Sequence, residues 1–140
     1  MWCADEYSKY PISAQDINEY YKNKGESQGH KLTAFDENGV VGHLTVRTVD
    51  AKNNVVRLGF VIINNKLRGK GLGKKMINLA LDYAREKMNA KKVTLGVFEN
   101  NKNAYRCYKS AGFKDFEPPK FEFYNILDEN WICRELEYEF

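Results

Sequence analysis

The stretch that most constrains the fold runs from Val55 to Asn89, where an apolar run leads through a glycine-rich basic segment into a helical pattern. The run VVRLGFVII is typical of a central strand covered on both faces. Beyond the basic segment, apolar residues recur at the spacing of one broad helix face. These residues are Leu72, Met76, Leu79, Ala80, Tyr83 and Ala84. A second strand pattern, KKVTLGVF, follows, so the order predicts a strand–helix–strand crossover with a parallel strand pair.

Further strand and helix patterns lie on both sides of this crossover. Ile12–Lys24 predicts a short helix with Ser13 as its N-cap, and 25–29 predicts a loop. The runs KLTAFD, VVGHLTVRTVD and VVRLGFVII are separated by ENG (37–39) and AKNN (51–54), which are typical of hairpin turns in an antiparallel meander.

A second helix, NKNAYRCYKSAGF, follows the crossover, and strands around KFEFYNIL and WICRELEYEF close the chain. Ala104, Cys107, Tyr108 and Ala111 share one face of this helix, and Gly112 suits its C-terminal cap. The whole pattern predicts an α+β fold with a mixed, mostly antiparallel sheet, a central βαβ crossover and flanking helices. With 140 residues, we expect a single domain over 1–140.

Composition excludes several classes of protein. Hydrophobic residues at 43% are enough for a packed core, which argues against disorder. There is no apolar run of about 18 residues for a membrane helix and no signal-peptide pattern at the N-terminus. Cys3, Cys107 and Cys133 are scattered, which predicts free thiols, a cytoplasmic protein and, with only two histidines, no metal site. The net charge is only +3 and acidic residues are interspersed, so the sequence gives weak support to a nucleic-acid-binding module.

The segment KLRGKGLGKK, Lys66–Lys75, combines three glycines with five cationic side chains at a predicted helix start. The start of a helix offers unpaired N–H groups and the positive end of the helix dipole, so an anion is the expected ligand. Two nucleotide motifs fail on spacing. The Walker A loop needs one more residue between Gly69 and Gly73 and a hydroxyl after Lys74, and GxGxxG needs a glycine where Lys74 stands.

The pattern that fits is Arg68-Gly69-Lys70-Gly71-Leu72-Gly73, which resembles the acetyl-CoA pyrophosphate loop of the GNAT superfamily of N-acetyltransferases. The segment NKNAYRCYKSAGF is similar to the later signature of that superfamily, Asn-x-x-Ala-x-x-x-Tyr-x-x-x-Gly-Phe. The matching residues are Asn101, Ala104, Tyr108, Gly112 and Phe113. Because both patterns occur in the expected order and context, the chain is identified as a GNAT-like protein of bacterial type.

The resemblance implies that the sheet splays apart beside the glycine loop and that acetyl-CoA, as cosubstrate, lies in the gap. Phe60, Val61 and Ile62 would line the pantetheine arm, partly through backbone hydrogen bonds. The amides of 69–73 would hold the pyrophosphate, with charge added by Arg68 and Lys74. The full cofactor-binding set is Phe60, Val61, Ile62, Arg68, Gly69, Lys70, Gly71, Leu72, Gly73, Lys74 and Asn101. Asn101 would help to position the arm, although its place also suits a helix N-cap.

Tyr108 resembles the general acid of the family, which donates a proton to the CoA sulfur as a tetrahedral intermediate collapses. The alternative is a tyrosine that only packs in the core. At two positions where family members often carry a glutamate base, this chain has Arg57 and Gly96, and neither can serve. Glu99 is the candidate base, with a bound water as the alternative. Glu135 and Glu137 are weaker candidates.

These implications predict an N-acetyltransferase that moves acetyl from acetyl-CoA directly to a primary amine; the alternative is a non-catalytic acyl-CoA-binding or regulatory domain. The acceptor stays open between a small amine, an aminoglycoside-like polyamine and a protein amine. Phe121, Tyr124, Trp131 and Glu135 in the C-terminal part suit a cationic amine, a homodimer interface or the core equally. The first strand and helix that open the family fold are apparently missing, because too few residues precede Ile12.

Overall fold

The computed structural model describes residues 13–24 and 29–140, which form three α-helices and a seven-stranded sheet. The helices are α1 (Ala14–Lys24), α2 (Leu72–Met88) and α3 (Lys102–Ser110). The strands are β1 (His30–Asp36), β2 (Gly39–Asp50), β3 (Val55–Ile63), β4 (Lys92–Phe98), β5 (Lys114–Asp115), β6 (Phe121–Ile126) and β7 (Glu129–Glu139). They pair in the order β1–β2–β3–β4–β7–β5, with β6 also on β7. A 3₁₀ turn, Asn65–Leu67, precedes α2.

The predicted α+β architecture is confirmed. β1, β2 and β3 form the antiparallel meander, and β3 pairs in parallel with β4 through the α2 crossover. α1 begins as predicted, because the Ser13 and Asp16 side chains each accept a hydrogen bond from the other residue's backbone N–H. The expected absence of the first family strand and helix concerns residues before Ser13, and most of the expected loop at 25–29 is residues 25–28; both lie outside the described residues. Among the described helices, none is long and apolar enough to cross a membrane.

The core lies between the sheet and α2, which buries Met76, Ile77, Ala80, Leu81 and Ala84. The predicted stripe was wrong at Leu79, whose side chain is 66% exposed. The reason is the rotation of α2 about its own axis. The sheet contacts the row 76–80–84 and the neighbouring row 77–81, and Leu79 lies beyond the opposite edge of that face. Short β5 was not predicted, since two residues show no periodicity.

β3 is central in the sheet, but it is not covered on both faces along its length as predicted. Only Val56 and Leu58 are fully buried, and Ile62 is 42% exposed. The cause is that β3 and β4 pair only from Val55 to Arg57 against Lys92–Thr94 and then diverge. This divergence is the splay that the family resemblance implied.

A β-bulge accompanies the divergence. Gly59 pairs with Thr45 and Ile62 with His43, so two β3 residues, Phe60 and Val61, stand opposite one β2 residue. Phe60 has a φ of 53°, a left-handed conformation that is costly for a bulky side chain. A bulge bends its strand and increases the local twist, and this bulge lies in the part of β3 that no longer pairs with β4.

We expect Phe113→Ala to lower the free energy of unfolding by about 3–5 kcal/mol, because Phe113 is 1% exposed in the main core and its removal leaves a cavity. Phe123→Ala is the matched control. Its side chain is 77% exposed, so the change should stay within about 0.5 kcal/mol. Urea unfolding of the parent and both variants measures the difference, and equal losses in the two variants would contradict this account of the core.

Candidate active site

The glycines before α2 serve two different purposes. Gly69 and Gly71 have φ values of 79° and 74°, and a Cβ at either position would meet nothing within 4 Å. They are therefore required by the left-handed backbone and not by crowding. Gly73 lies inside the first turn of α2, where a Cβ would approach Cys107 Sγ to 3.3 Å. Gly73 thus allows the start of α2 to lie against α3.

The loop is cationic and open to solvent. Its five cationic side chains, Lys66, Arg68, Lys70, Lys74 and Lys75, are all exposed, and none forms an ion pair with a carboxylate of the described residues. Gly71 is the N-cap of α2 and offers no side-chain acceptor to the first-turn N–H groups, which begin at Leu72. Unpaired cations around unpaired amides at a helix start form an arrangement suited to a phosphate group.

The predicted arm-lining residues Phe60, Val61 and Ile62 lie in the part of β3 beyond its pairing with β4. They include the bulge, and the Phe60 ring packs edge-on against Tyr20 of α1 with ring centroids 5.9 Å apart. The structure therefore places them on one side of the splay. Residues Leu95–Phe98 of β4, which lie beyond the last paired residue Thr94, form the other side.

Tyr108 is fixed by the way α3 ends. The N–H of Gly112 donates to the Lys109 carbonyl and the N–H of Phe113 donates to the Tyr108 carbonyl, both at 3.1 Å. This pair of bonds is a Schellman motif, and Gly112 permits it with a φ of 104°. The motif brings the rings of Tyr108 and Phe113 to a centroid distance of 6.2 Å. The predicted glycine after the helix is confirmed, one position beyond the cap residue Ala111.

The Tyr108 side chain is buried in the core, yet its hydroxyl borders open space. The residue is 7% exposed. Its hydroxyl makes no hydrogen bond within the described part of the chain, where no fully buried side-chain oxygen or nitrogen lacks a partner. Burial, with a smaller contribution from Cys107, raises the pKa of Tyr108 well above its usual range. The phenol therefore stays protonated at neutral pH and keeps a proton to donate.

Asn101 is the N-cap of α3, since its side-chain oxygen accepts from the Ala104 N–H at 3.2 Å. The capping role considered for it from the sequence is therefore present. The cap uses the side-chain oxygen and leaves the amide nitrogen as a donor.

Cys107 and Cys133 are free thiols, and Cys3 lies outside the described residues. Burial raises the pKa of Cys107 against the opposing charge of Lys74, so the thiol is a poor nucleophile, consistent with a packing role.

The candidate base Glu99 is held by Arg134, which donates from Nη2 to Oε1 at 3.0 Å. Glu99 lines a cavity of about 310 Å³ together with Val97, Phe98, Lys102, Tyr105 and Arg134. The guanidinium of Arg134 also donates to Asp115, which accepts further bonds from Lys109 and Tyr105 at 2.9 Å. Glu99 is thus one end of an ion-pair network. Among the described residues, no three His, Cys, Asp or Glu side chains are grouped as metal ligands would be.

Arg57 and Glu135 form a pair that was not predicted from the sequence, joined across β4 by two hydrogen bonds of 2.6 and 2.9 Å. The hydrogen bonds to Glu135 outweigh burial and raise the pKa of Arg57. No motif indicates the contact, because the two residues are 78 positions apart. The other weak candidate, Glu137, accepts from Lys92 Nζ at 2.7 Å.

Comparison with known proteins identifies the family of the chain. The model of the "Acetyltransferase (GNAT) family" matches residues 1–113. The chain belongs to the GNAT acetyltransferase family. It is therefore an acetyl-CoA-dependent N-acetyltransferase, and family membership favours this enzyme over the alternative of a non-catalytic acyl-CoA-binding domain.

Individual relatives are similar over most of the chain. A spermine/spermidine N(1)-acetyltransferase of Bacillus subtilis (strain 168) is 35% identical over 105 residues, which cover 74% of this chain and 67% of the relative. The fold of this GNAT protein matches a spermidine N-acetyltransferase of Vibrio cholerae crystallised with CoA and spermine. The TM-score is 0.79 at 20% identity, covering 94% of this chain and 78% of that one. A putative phosphinothricin N-acetyltransferase matches with a TM-score of 0.75 at 22% identity, covering 92% and 82%. Fold similarity alone therefore does not distinguish acceptors.

Asp115 should make the stability of this GNAT domain depend on acid pH. Burial disfavours its ionised form, but hydrogen bonds from Lys109, Arg134 and Tyr105 outweigh it and lower the pKa of Asp115 to about 2. Because the folded pKa lies below the unfolded value of about 4, this stabilisation is complete above about pH 4 and is lost as the pH falls towards 2. Urea unfolding from pH 6 to 2.5 should show the parent and Asp115→Asn converging in acid. A difference that stays constant with pH would contradict this.

Proposed function

We propose that this enzyme transfers acetyl from acetyl-CoA directly to a primary amine of a polyamine such as spermine or spermidine. The observation that carries the choice of acceptor is the 35% identity over 105 residues to the Bacillus subtilis spermine/spermidine N(1)-acetyltransferase. The Vibrio cholerae neighbour, whose crystals contain CoA and spermine, is consistent with this choice but is too distant in sequence to decide it. We also propose that residues 1–140 are one catalytic domain, since β1 to β7 share one sheet.

In this proposal, the amides of 69–73 hold the pyrophosphate of acetyl-CoA, and Arg68 and Lys74 add positive charge. The support is the combination of left-handed glycines, exposed unpaired cations and the start of α2. The arm of the cosubstrate lies in the splay against Phe60, Val61 and Ile62. Lys70 and Leu72 contribute backbone N–H groups, and the Asn101 amide nitrogen donates to the arm. The open space beside Gly69 and Gly71 leaves the loop accessible to a ligand.

Tyr108 is proposed as the general acid. The neutral amine nitrogen forms a bond to the thioester carbonyl carbon and the carbon–sulfur bond breaks, so the sulfur needs a proton and the nitrogen must lose one; an ammonium group must lose a further proton before it attacks. A neutral phenol can supply the first proton. Glu99 or a water bound to it remains the proposed acceptor of the second.

We expect spermidine and spermine to be acetylated with a kcat/KM at least tenfold above that of a short monoamine. The reason is that the additional ammonium groups of a polyamine can bind additional hydrogen-bond acceptors of the protein. The measurement is the release of free CoA thiol with saturating acetyl-CoA over a panel of amines that includes an aminoglycoside. A panel in which the monoamine or the aminoglycoside is preferred would contradict the polyamine assignment and leave the N-acetyltransferase intact.

We expect Tyr108→Phe to lower kcat more than tenfold while the dissociation constant for CoA changes less than twofold. The variant keeps the packing against Phe113 and loses only the proton donor. Tyr83→Phe is the control, since its hydroxyl contacts His30 Nδ1 at 2.7 Å and the residue does not line the cavity of Glu99. Its kcat should stay within twofold of that of the parent. Turnover is measured by thiol release and CoA binding by calorimetry. An unchanged kcat in Tyr108→Phe would exclude Tyr108 as the acid.

A further inference from the structure

An ion pair covers a glycine on the face of the sheet opposite α2 and α3. Arg57 extends from β3 over β4 and meets Glu135 of β7, with Nη1 donating to Oε2 and Nη2 to Oε1. A Cβ on Gly96 would lie 2.9 Å from Arg57 Nη2, 2.9 Å from Glu135 Oε1 and 2.7 Å from Cys133 Sγ. Any side chain at position 96 would therefore displace the pair. The glycine makes room for a carboxylate that arrives from another strand.

The pair lies where the two central strands begin to separate. Arg57 is the last β3 residue that pairs with β4, and its partner there is Thr94. Gly96 is two residues further along β4 and pairs with Glu135 of β7. Alternation along the strands puts Val56, Leu58 and Leu95 on the core side, so Arg57 and Gly96 point to the other face. The pair thus borders the splay from the side opposite Tyr108.

Among the described residues, Glu135 is the one charged residue that is buried, at 8% exposure. It lines an open cavity of about 430 Å³ with Arg57, Thr94, Phe116, Lys120, Phe121 and Glu122. Both cations that line this cavity are engaged within the protein. Arg57 bonds to Glu135 itself, and Lys120 Nζ lies 4.2 Å from the centre of the Phe116 ring. A buried ion pair generally adds little stability over apolar side chains of similar volume. Its presence at this point therefore favours a role in the site.

We propose that Glu135, held by Arg57 over Gly96, binds and orients the amine acceptor at the splay. This inference rests on the proposed function. A carboxylate oxygen can accept more than one hydrogen bond, so each oxygen that bonds to Arg57 keeps capacity for a protonated amine. The bidentate guanidinium fixes the direction of the carboxylate. The acceptor approaches from the β7 side while Tyr108 and the cationic loop lie on or near the α2–α3 side.

Glu135→Gln tests the assignment, with Glu137→Gln as the matched control. Glu137 is on the same strand and face, also accepts from a cation, Lys92, and lies outside the cavity. We expect Glu135→Gln to lower kcat/KM for spermidine at least tenfold, mainly through KM, with the KM for acetyl-CoA changed less than twofold. Glu137→Gln should leave both within twofold of the parent. Equal effects of the two variants, or none, would overturn the inference.

A second variant separates orientation of the acceptor from support of the fold, because Glu135→Gln leaves the Arg57 guanidinium without a charged partner. Arg57→Met with Glu135→Met removes both charges and should keep the thermal unfolding midpoint and its rise on adding CoA. If the pair were only structural, this double variant would regain parental kcat/KM for spermidine. We expect it to stay at least tenfold lower.

Failure of the proposed function gives a different result. A parent protein that binds acetyl-CoA and acetylates no polyamine would overturn the proposed acceptor, and this inference with it. A parent that acetylates spermidine, with Glu135→Gln unaffected, would overturn this inference alone.

Discussion

The separation of β3 from β4 is the constraint on which the rest of the site depends. Three residue pairs hold the strands together, and beyond Arg57 and Thr94 they diverge. The bulge at Phe60 and Val61 bends β3 within this unpaired part, at the cost of a left-handed conformation for Phe60. Backbone that diverges inside a sheet gives up ladder hydrogen bonds, and a cosubstrate lying there can replace them. The glycine loop follows directly from the end of β3, so the same divergence positions the start of α2.

Two local motifs position side chains around this separation. The Schellman motif that ends α3 joins Tyr108 and Phe113, so one helix end places both the proposed acid and a central core residue. The N-cap Asn101 fixes the other end of the same helix. A central core residue and the proposed acid are therefore carried by the same short segment, 101–113. Gly73 contributes from the other helix by letting α2 lie against Cys107 of α3.

Local pattern predicted much of this fold and part of the site. The hairpin turns, the strand–helix–strand order and the helix caps are each indicated by contiguous residues, so turn residues and apolar spacing were sufficient to predict them. Leu79 was misplaced because a broad apolar stripe does not show which of its edges the sheet covers. The partial exposure of β3 was missed because an apolar run looks the same whether a neighbouring strand or an open gap lies beside it. Glu99 follows the end of β4 and Arg134 belongs to β7, and no spacing rule joins residues 35 positions apart.

The amino-acid sequence by itself determined the family, the order of the elements and the loop and helix that carry Arg68, Gly71 and Tyr108, because these features are contiguous in the chain. The tertiary structure decided which charges meet. Arg57 and Gly96 were set aside from the sequence as unable to act as a base. In the folded chain Arg57 anchors the Glu135 carboxylate and Gly96 makes room for it. That arrangement depends on the register of three strands, and strand register is set by packing and turns across the whole sheet and cannot be read at any one position.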